Sequence, residues 1–240
     1  MCKFFSFVGD GYGNFLYSDW NTRKENLRED HDSHTAILTR NKVPPRLQDR
    51  WSKYEYNPLT KEFTVDQGVE GHDHEAAENW AQHLNFKNVV EPLIIKKIRN
   101  PITGKAKKVT EKEIALLDEW IQLVGSAMDS VSDSVLDSVW YSVSDSVGDS
   151  VCASVWTSVR ASVWYSVWTP VYDSVRVSVG ASVGASVWAY LSSFFKIKYE
   201  HDFSSAVKLW NAGFVMSFDG KTWRLHSGKK AEVVYERSHK

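Results

Sequence analysis

A β-solenoid with α+β flanking segments is the fold class this sequence predicts, and three observations carry it. The first is a four-residue unit, x-Ser-Val-x, that runs from Ser126 to Tyr190 without insertion or deletion and puts valine at every fourth position from Val131 to Val187. The second is that this period fits a helix badly: at about 100° per residue, four residues advance about 400°, so the valine stripe drifts about 40° per unit. Serine and β-branched valine are also weak helix formers, and Pro170 and several glycines interrupt the run. The third is length, since an ordinary strand spans about 5 to 6 residues. A chain that must turn this often is accommodated by short sides stacked in coils about 4.8 Å apart.

In such a coil valine fills the core, serine sits near the corner bonding backbone, and the first and fourth positions face outward. The outward columns set the coil size. At a spacing of sixteen the fourth positions align Trp140, Trp156, Tyr172 and Trp188, with Ser144, Arg160, Arg176 and Ser192 in the next column, whereas a spacing of twelve mixes residue types. The expectation is therefore a quadrilateral coil of about sixteen residues. Trp140, Trp156, Tyr172 and Trp188, beside Arg160 and Arg176, form the predicted binding ladder, a stack of rings suited to a base, a sugar or another copy of itself.

The flanks are read in chain order. Residues 1–109 form an α+β region that opens with a hairpin, Lys3 to Val8 and Phe15 to Trp20, around Gly9-Asp10-Gly11-Tyr12-Gly13. That turn lacks the Lys-Ser/Thr and following helix of a phosphate loop. A short charged helix is expected from Thr22 to Glu29, then irregular chain over 30–50. Lys53 to Tyr56 and Lys61 to Val65 make a second hairpin around Asn57-Pro58-Leu59-Thr60. Asp73 caps a helix from His74 to about Leu84, with Ala77, Trp80, Ala81 and Leu84 on one face. Val89 to Ile98 reads as an edge strand broken by Pro92, and the lysines and arginine from Lys96 to Lys108 as a solvated loop. Thr110 and Glu113 form a capping box for a helix over 110–125, ending at Gly125 and serving as the solenoid's N-terminal lid. After the repeat (126–192), residues 193–240 hold a helix from Ser204 to Ala212 stopped by Gly213. They end in a three-stranded meander, Phe214 to Phe218, Lys221 to His226 and Ala231 to Glu236, which either stands alone or completes the N-terminal sheet.

Bulk properties narrow the function classes. The formal net charge of −1 gives no general attraction to nucleic acid or to acidic membranes, and within the repeat six Asp against two Arg leave a mild negative charge. Two cysteines, Cys2 and Cys152, make no disulfide framework, and no apolar run is long enough to span a bilayer, so a cytoplasmic protein is expected. His31-Asp32-Ser33-His34 and His72-Asp73-His74-Glu75 supply the donor chemistry of a zinc site, with His31, His34, His72 and His74 as candidate ligands. Removal of Met1 would expose Cys2 as a nucleophile with its own amine base.

The Ser-Val pairs resemble, at a period of four, the pentapeptide-repeat family, whose square solenoids place one apolar residue per side in the core. The resemblance implies a rod that binds partners along its faces and dimerises end to end, as in the family's DNA-shaped gyrase-binding members. The stretches KYEYNPLTKEFTVDQ and FDGKTWRLHSGKKAEVVYE are similar to uncharacterised phage, viral and metagenomic reading frames, which implies a viral or mobile-element origin. The start of the chain resembles the N-terminal-nucleophile amidohydrolases, with Lys3 where that family has glycine. The expected function is a non-enzymatic binding protein that needs no cofactor and has a protein partner or a second copy of itself. The alternative is a zinc-dependent or N-terminal-cysteine enzyme built from the non-repeat segments.

Overall fold

The computed structural model of the protein describes residues 4–124, 128–176 and 180–238. Cys2, the Gly125 stop and the Val177-Ser178-Val179 unit lie outside the described residues. The repeat is helical, which corrects the solenoid. It forms α5 (Met128–Val147), α6 (Asp149–Val159), a π turn (Arg160–Trp164), α7 (Tyr165–Val175) and α8 (Gly180–Ser192).

Helix wins because its periodicity nearly matches the repeat and the residual drift is removed at breaks. In a helix the first position of each unit lies about 200° from its valine, on the opposite side, while serine and the fourth position flank the valine. Exposure follows that geometry: the valines from Val135 to Val171, with Val183 and Val187, are buried, whereas Asp137, Tyr141, Asp145, Thr157, Tyr165 and Asp173 are exposed. Within α5 the stripe drifts by about 120° from Val135 to Val147 with every valine still buried, and the drift is then reset. Gly148 provides one reset. Its left-handed backbone (φ +90°) ends α5, and an added Cβ there would lie 2.7 Å from the Leu27 carbonyl oxygen. The π turn provides another, because its i→i+5 bonding takes more than four residues per revolution and rotates the stripe back. Arg176, also left-handed (φ 51°), closes α7. Serine is tolerated because its hydroxyl returns to the preceding turn: Ser166 donates to the Val163 carbonyl at 3.0 Å and Ser186 to Ser182 at 2.9 Å.

With the solenoid go its consequences. Among the described residues there is no sixteen-residue coil. The helix predicted over 110–125 exists as α4 (Glu111–Val124), with Thr110 N–H donating to the Glu113 carboxylate at 3.0 Å, but it is not a lid on a solenoid. A rod with open ends is absent among the described residues, which removes the reason for end-to-end homo-oligomers.

The chain divides into two compact units. The first comprises Met1–Lys97 and Ser144–Val155. Its antiparallel sheet has the order β2-β1-β3-β4, from β1 (Phe5–Gly9), β2 (Phe15–Leu16), β3 (Ser52–Asn57) and β4 (Glu62–Gln67). Both predicted hairpins are present. Asp10 Oδ1 accepts the Tyr12 and Asn14 amides at 2.8 and 3.1 Å, so the glycine-rich turn is occupied by its own aspartate. Helix α3 (His74–His83) is capped by Asp73, which accepts the Ala76 amide at 2.9 Å, and it brings Trp80 against Phe7 and Phe15. The helix expected from Thr22 to Glu29 is instead the single turn α1 (Trp20–Arg23), and the stretch expected to be irregular over 30–50 holds α2 (His34–Arg40) and a 3-10 turn (Pro45–Arg50). Ile37 and Leu38 of α2 pack with Val8 of β1. The edge strand expected over 89–98 is absent; irregular chain with a single bridge residue, Leu93, takes its place.

The second unit comprises Ile98–Val143 and Trp156–Lys240. Helices α4, α8 and α9 (Ser204–Ala212) pack with the sheet β5-β6-β7, from β5 (Val215–Phe218), β6 (Thr222–Ser227) and β7 (Glu232–Ser238). Gly213 ends α9 in the left-handed conformation at φ 94°, as predicted. Helix α8 is buried on nearly every side from Ser182 to Ser192, and Phe218 N–H donates to Ser182 Oγ at 2.9 Å. The lysine-rich segment is not simply a solvated loop. Lys229 N–H donates to the Gly104 carbonyl at 2.9 Å and Lys107 N–H to Ser227 Oγ at 3.3 Å, which lays the segment along the β6–β7 turn.

Candidate binding surface

The predicted ladder residues meet, but through helical contacts. Trp156 and Trp188 stack face to face at 3.9 Å and 9°, and Trp140 meets Trp188 edge-on at 6.2 Å. Trp188 is buried, so this end of the ladder is core packing. Tyr172 joins a second series. Trp164 and Trp168 lie parallel with centroids 5.6 Å apart, Trp168 and Tyr172 at 6.5 Å, and the Arg160 guanidinium sits 5.9 Å from the Trp164 ring centre. Trp164 also meets Trp156, at 6.4 Å.

Arg160, Trp164, Trp168 and Tyr172 occupy the fourth positions of successive units, so four-residue spacing on the π turn and α7 sets them one turn apart along a flank of the buried valine stripe. Trp164 and Trp168 are half-buried, Tyr172 is 47% exposed and neighbouring Tyr165 70% exposed. Gly180 allows the approach of Trp168, because a Cβ there would come within 2.6 Å of the indole. Sixteen-residue spacing hid Trp164 and Trp168 from the predicted ladder; four-residue spacing shows them. Arg176 lies at the end of α7, exposed.

The four histidines all lie in the first unit, where His31 bonds the preceding loop and His34, His72 and His74 bond residues of β3. His31 Nε2–H donates to the Asn26 carbonyl at 2.7 Å and His34 Nε2–H to the Tyr54 carbonyl at 3.1 Å. His72 Nδ1 is paired with Ser52 Oγ at 2.8 Å and His74 Nδ1 with the Tyr54 hydroxyl at 3.0 Å. Among the described residues no three His, Cys, Asp or Glu side chains are grouped to hold a metal ion. Asp32 instead forms a buried bidentate pair with Arg23, at 2.6 and 3.0 Å, and accepts the Ser150 hydroxyl at 2.9 Å. That last bond holds the start of α6 within the first unit.

Two further groups have the chemistry of catalysis without access. Ser217 Oγ–H donates to His226 Nε2 at 2.7 Å, and His226 Nδ1–H donates to the Ala231 carbonyl at 2.9 Å. Both side chains are fully buried, and burial pulls the imidazole down to about 4. The Cys152 thiol is buried too, and burial with the nearby Asp149 charge pushes it up to about 12. Neither can reach a substrate. Among the described residues, no helix is long and apolar enough to cross a membrane.

Searches against protein-family models, curated proteins and solved structures return no match to this chain. The pentapeptide-repeat resemblance is overturned by the helical repeat, and the likeness to phage and viral reading frames gains no support.

Proposed function

We propose that the protein is a non-enzymatic binding protein whose partner is another protein, recognised on the aromatic and arginine face of the π turn and α7. The observation that supports this reading is the alignment of Arg160, Trp164, Trp168 and Tyr172 on one half-exposed flank. Trp, Tyr and Arg are the residue types that dominate binding energy at protein interfaces, because each supplies a large contact area with a polar tip. Parallel stacking holds the rings in place before a partner arrives, which lowers the ordering cost of binding. A π turn at the same place agrees with the frequent occurrence of such turns at functional sites.

A photo-crosslinking residue at Thr169, between Trp168 and Tyr172 in sequence, is the test. The expected result is a crosslinked protein whose affinity for the purified chain falls about tenfold or more in Tyr172→Ala and Arg160→Ala. A partner that binds both variants as tightly as the parent chain would place recognition elsewhere.

A further inference from the structure

A groove of about 630 Å³ opens in the second unit where the end of α8 faces the start of α9, and it shares no residue with the aromatic face of α7. The connecting chain reads Tyr199-Glu200-His201-Asp202-Phe203, so rings alternate with carboxylates. Tyr199 and Phe203 meet edge to face at 5.9 Å and 69°, and His201 and Phe203 at 6.3 Å and 78°. Buried Phe203 is common to both contacts, with Tyr199 and His201 each set at a steep angle to it. The Tyr199 hydroxyl donates to the Ser192 carbonyl at 2.8 Å, which fixes its ring. The backbone N–H and hydroxyl of Ser204 bond to the Asp202 carboxylate at 2.9 and 3.1 Å, which fixes that side chain.

Tyr199, His201 and Phe203 all line this groove, and a cation within about 6 Å of an aromatic ring centre is drawn to the ring's negative face. Glu200 and Asp202 line the same groove, as does Lys208, leaving one net negative charge among these groups. A small inorganic ion would lose its hydration at the apolar lining, whereas an alkylated ammonium is weakly hydrated and carries its own apolar surface. We infer that this groove binds an alkylammonium group, borne either by a free small amine or by a modified lysine side chain of a peptide.

The test uses the full chain and calorimetry with choline, with a decapeptide containing trimethyllysine, and with 3,3-dimethylbutanol, the uncharged isostere of choline. At least one cationic probe is expected to bind at least roughly tenfold more tightly than the isostere. Preference for choline assigns the groove to small amines, and preference for the peptide assigns it to protein side chains. Two variants leave the buried floor untouched: His201→Leu removes an exposed ring wall, and Glu200→Gln with Asp202→Asn removes the charge while keeping an acceptor for Ser204. Each is expected to weaken the preferred probe about fivefold or more, with the thermal transition retained. Equal binding of the isostere, unchanged affinity in both variants, or no heat from either cation would overturn the inference.

Discussion

Helices α7 and α8 are written in the same four-residue unit, yet α7 displays a row of aromatic residues and α8 is enclosed on nearly every side. Their buried valines are equivalent: Val167 and Val171 in one, Val183 and Val187 in the other. The difference lies in the other positions. Around its valines α7 carries Trp168, Thr169, Tyr172 and Asp173, and α8 carries Gly180, Ala181, Gly184, Ala185 and Ala189. Gly184, Ala185 and Ala189 let neighbouring elements close on α8, where the rings of Trp188 and Tyr190 are buried as well. Trp168, Thr169, Tyr172 and Asp173 keep α7 at the periphery. The repeat supplies a buried stripe, and the residues between the repeats decide how much more of the helix is covered.

Leucine in place of alanine is the strongest way to break this comparison. Ala185→Leu inserts volume into a closed site and is expected to cost about 3 kcal/mol or to prevent folding, whereas Ala161→Leu, on the exposed side of the π turn, should stay within about 0.5 kcal/mol. Urea denaturation of the two variants decides it, and equal losses would show that α8 is no more enclosed than its neighbour.

The sheet that packs on α8 provides a test of similar size. His226 is held near 4, below its ordinary value of 6.5, because burial disfavours the imidazolium. Between those values the unfolded chain takes up a proton that the folded chain refuses. Stability is therefore complete above about pH 6.5 and falls by about 3 kcal/mol as the pH drops to about 4. Chemical denaturation across that range should show the loss, and a His226→Gln chain should lack that part of it. A parent chain with a flat profile would mean that the β5-β6-β7 core admits water.

A moderate effect is expected where the repeat is reset. Gly148→Ala combines a left-handed backbone with a Cβ at 2.7 Å from the Leu27 carbonyl, and should cost about 2 kcal/mol by thermal or urea unfolding. No loss there would mean that the break between α5 and α6 is not fixed by this glycine. The smallest expected effect is that of Tyr172→Ala, within about 0.5 kcal/mol of the parent in stability, because the ring is at the surface of α7. A large loss would turn the aromatic row into core packing and remove it as a recognition surface.

The two sheets show what local sequence encodes well. The hairpins β3–β4 and β6–β7 each join strands of six or seven residues through four turn residues, the last of which is left-handed: Lys61 at φ 66° and Ala231 at φ 50°. Both carry a register shift within the pair. Alternation, turn residues and the capping residues Asp73, Thr110 and Gly213 are short-range signals, so these elements were legible. Helix α2 was not, because its apolar pair Ile37 and Leu38 is too short to show a period, although Ser33 caps it by accepting the Ala36 amide at 3.2 Å. The candidate surface was legible in part. The sequence shows that the fourth positions carry aromatic and arginine side chains, but the grouping of Trp164 and Trp168 with Tyr172 depends on whether the chain is read in fours or sixteens.

By itself the sequence determined that valine faces inward, that the first position turns away from the core over the exposed part of the repeat, and where the hairpins β3–β4 and β6–β7 and the helices capped by Asp73 and Thr110 lie. Each of these follows from contacts within a few residues. Whether the repeat coils as strands or winds as helix was decided by the tertiary structure. The 40° drift is an obstacle only for an unbroken helix, and Gly148, the π turn and Arg176 divide the run into segments short enough to keep each stripe buried. Ser150 bonded to Asp32, and Trp156 stacked on Trp188, are contacts between residues far apart in the chain, and no local period specifies them.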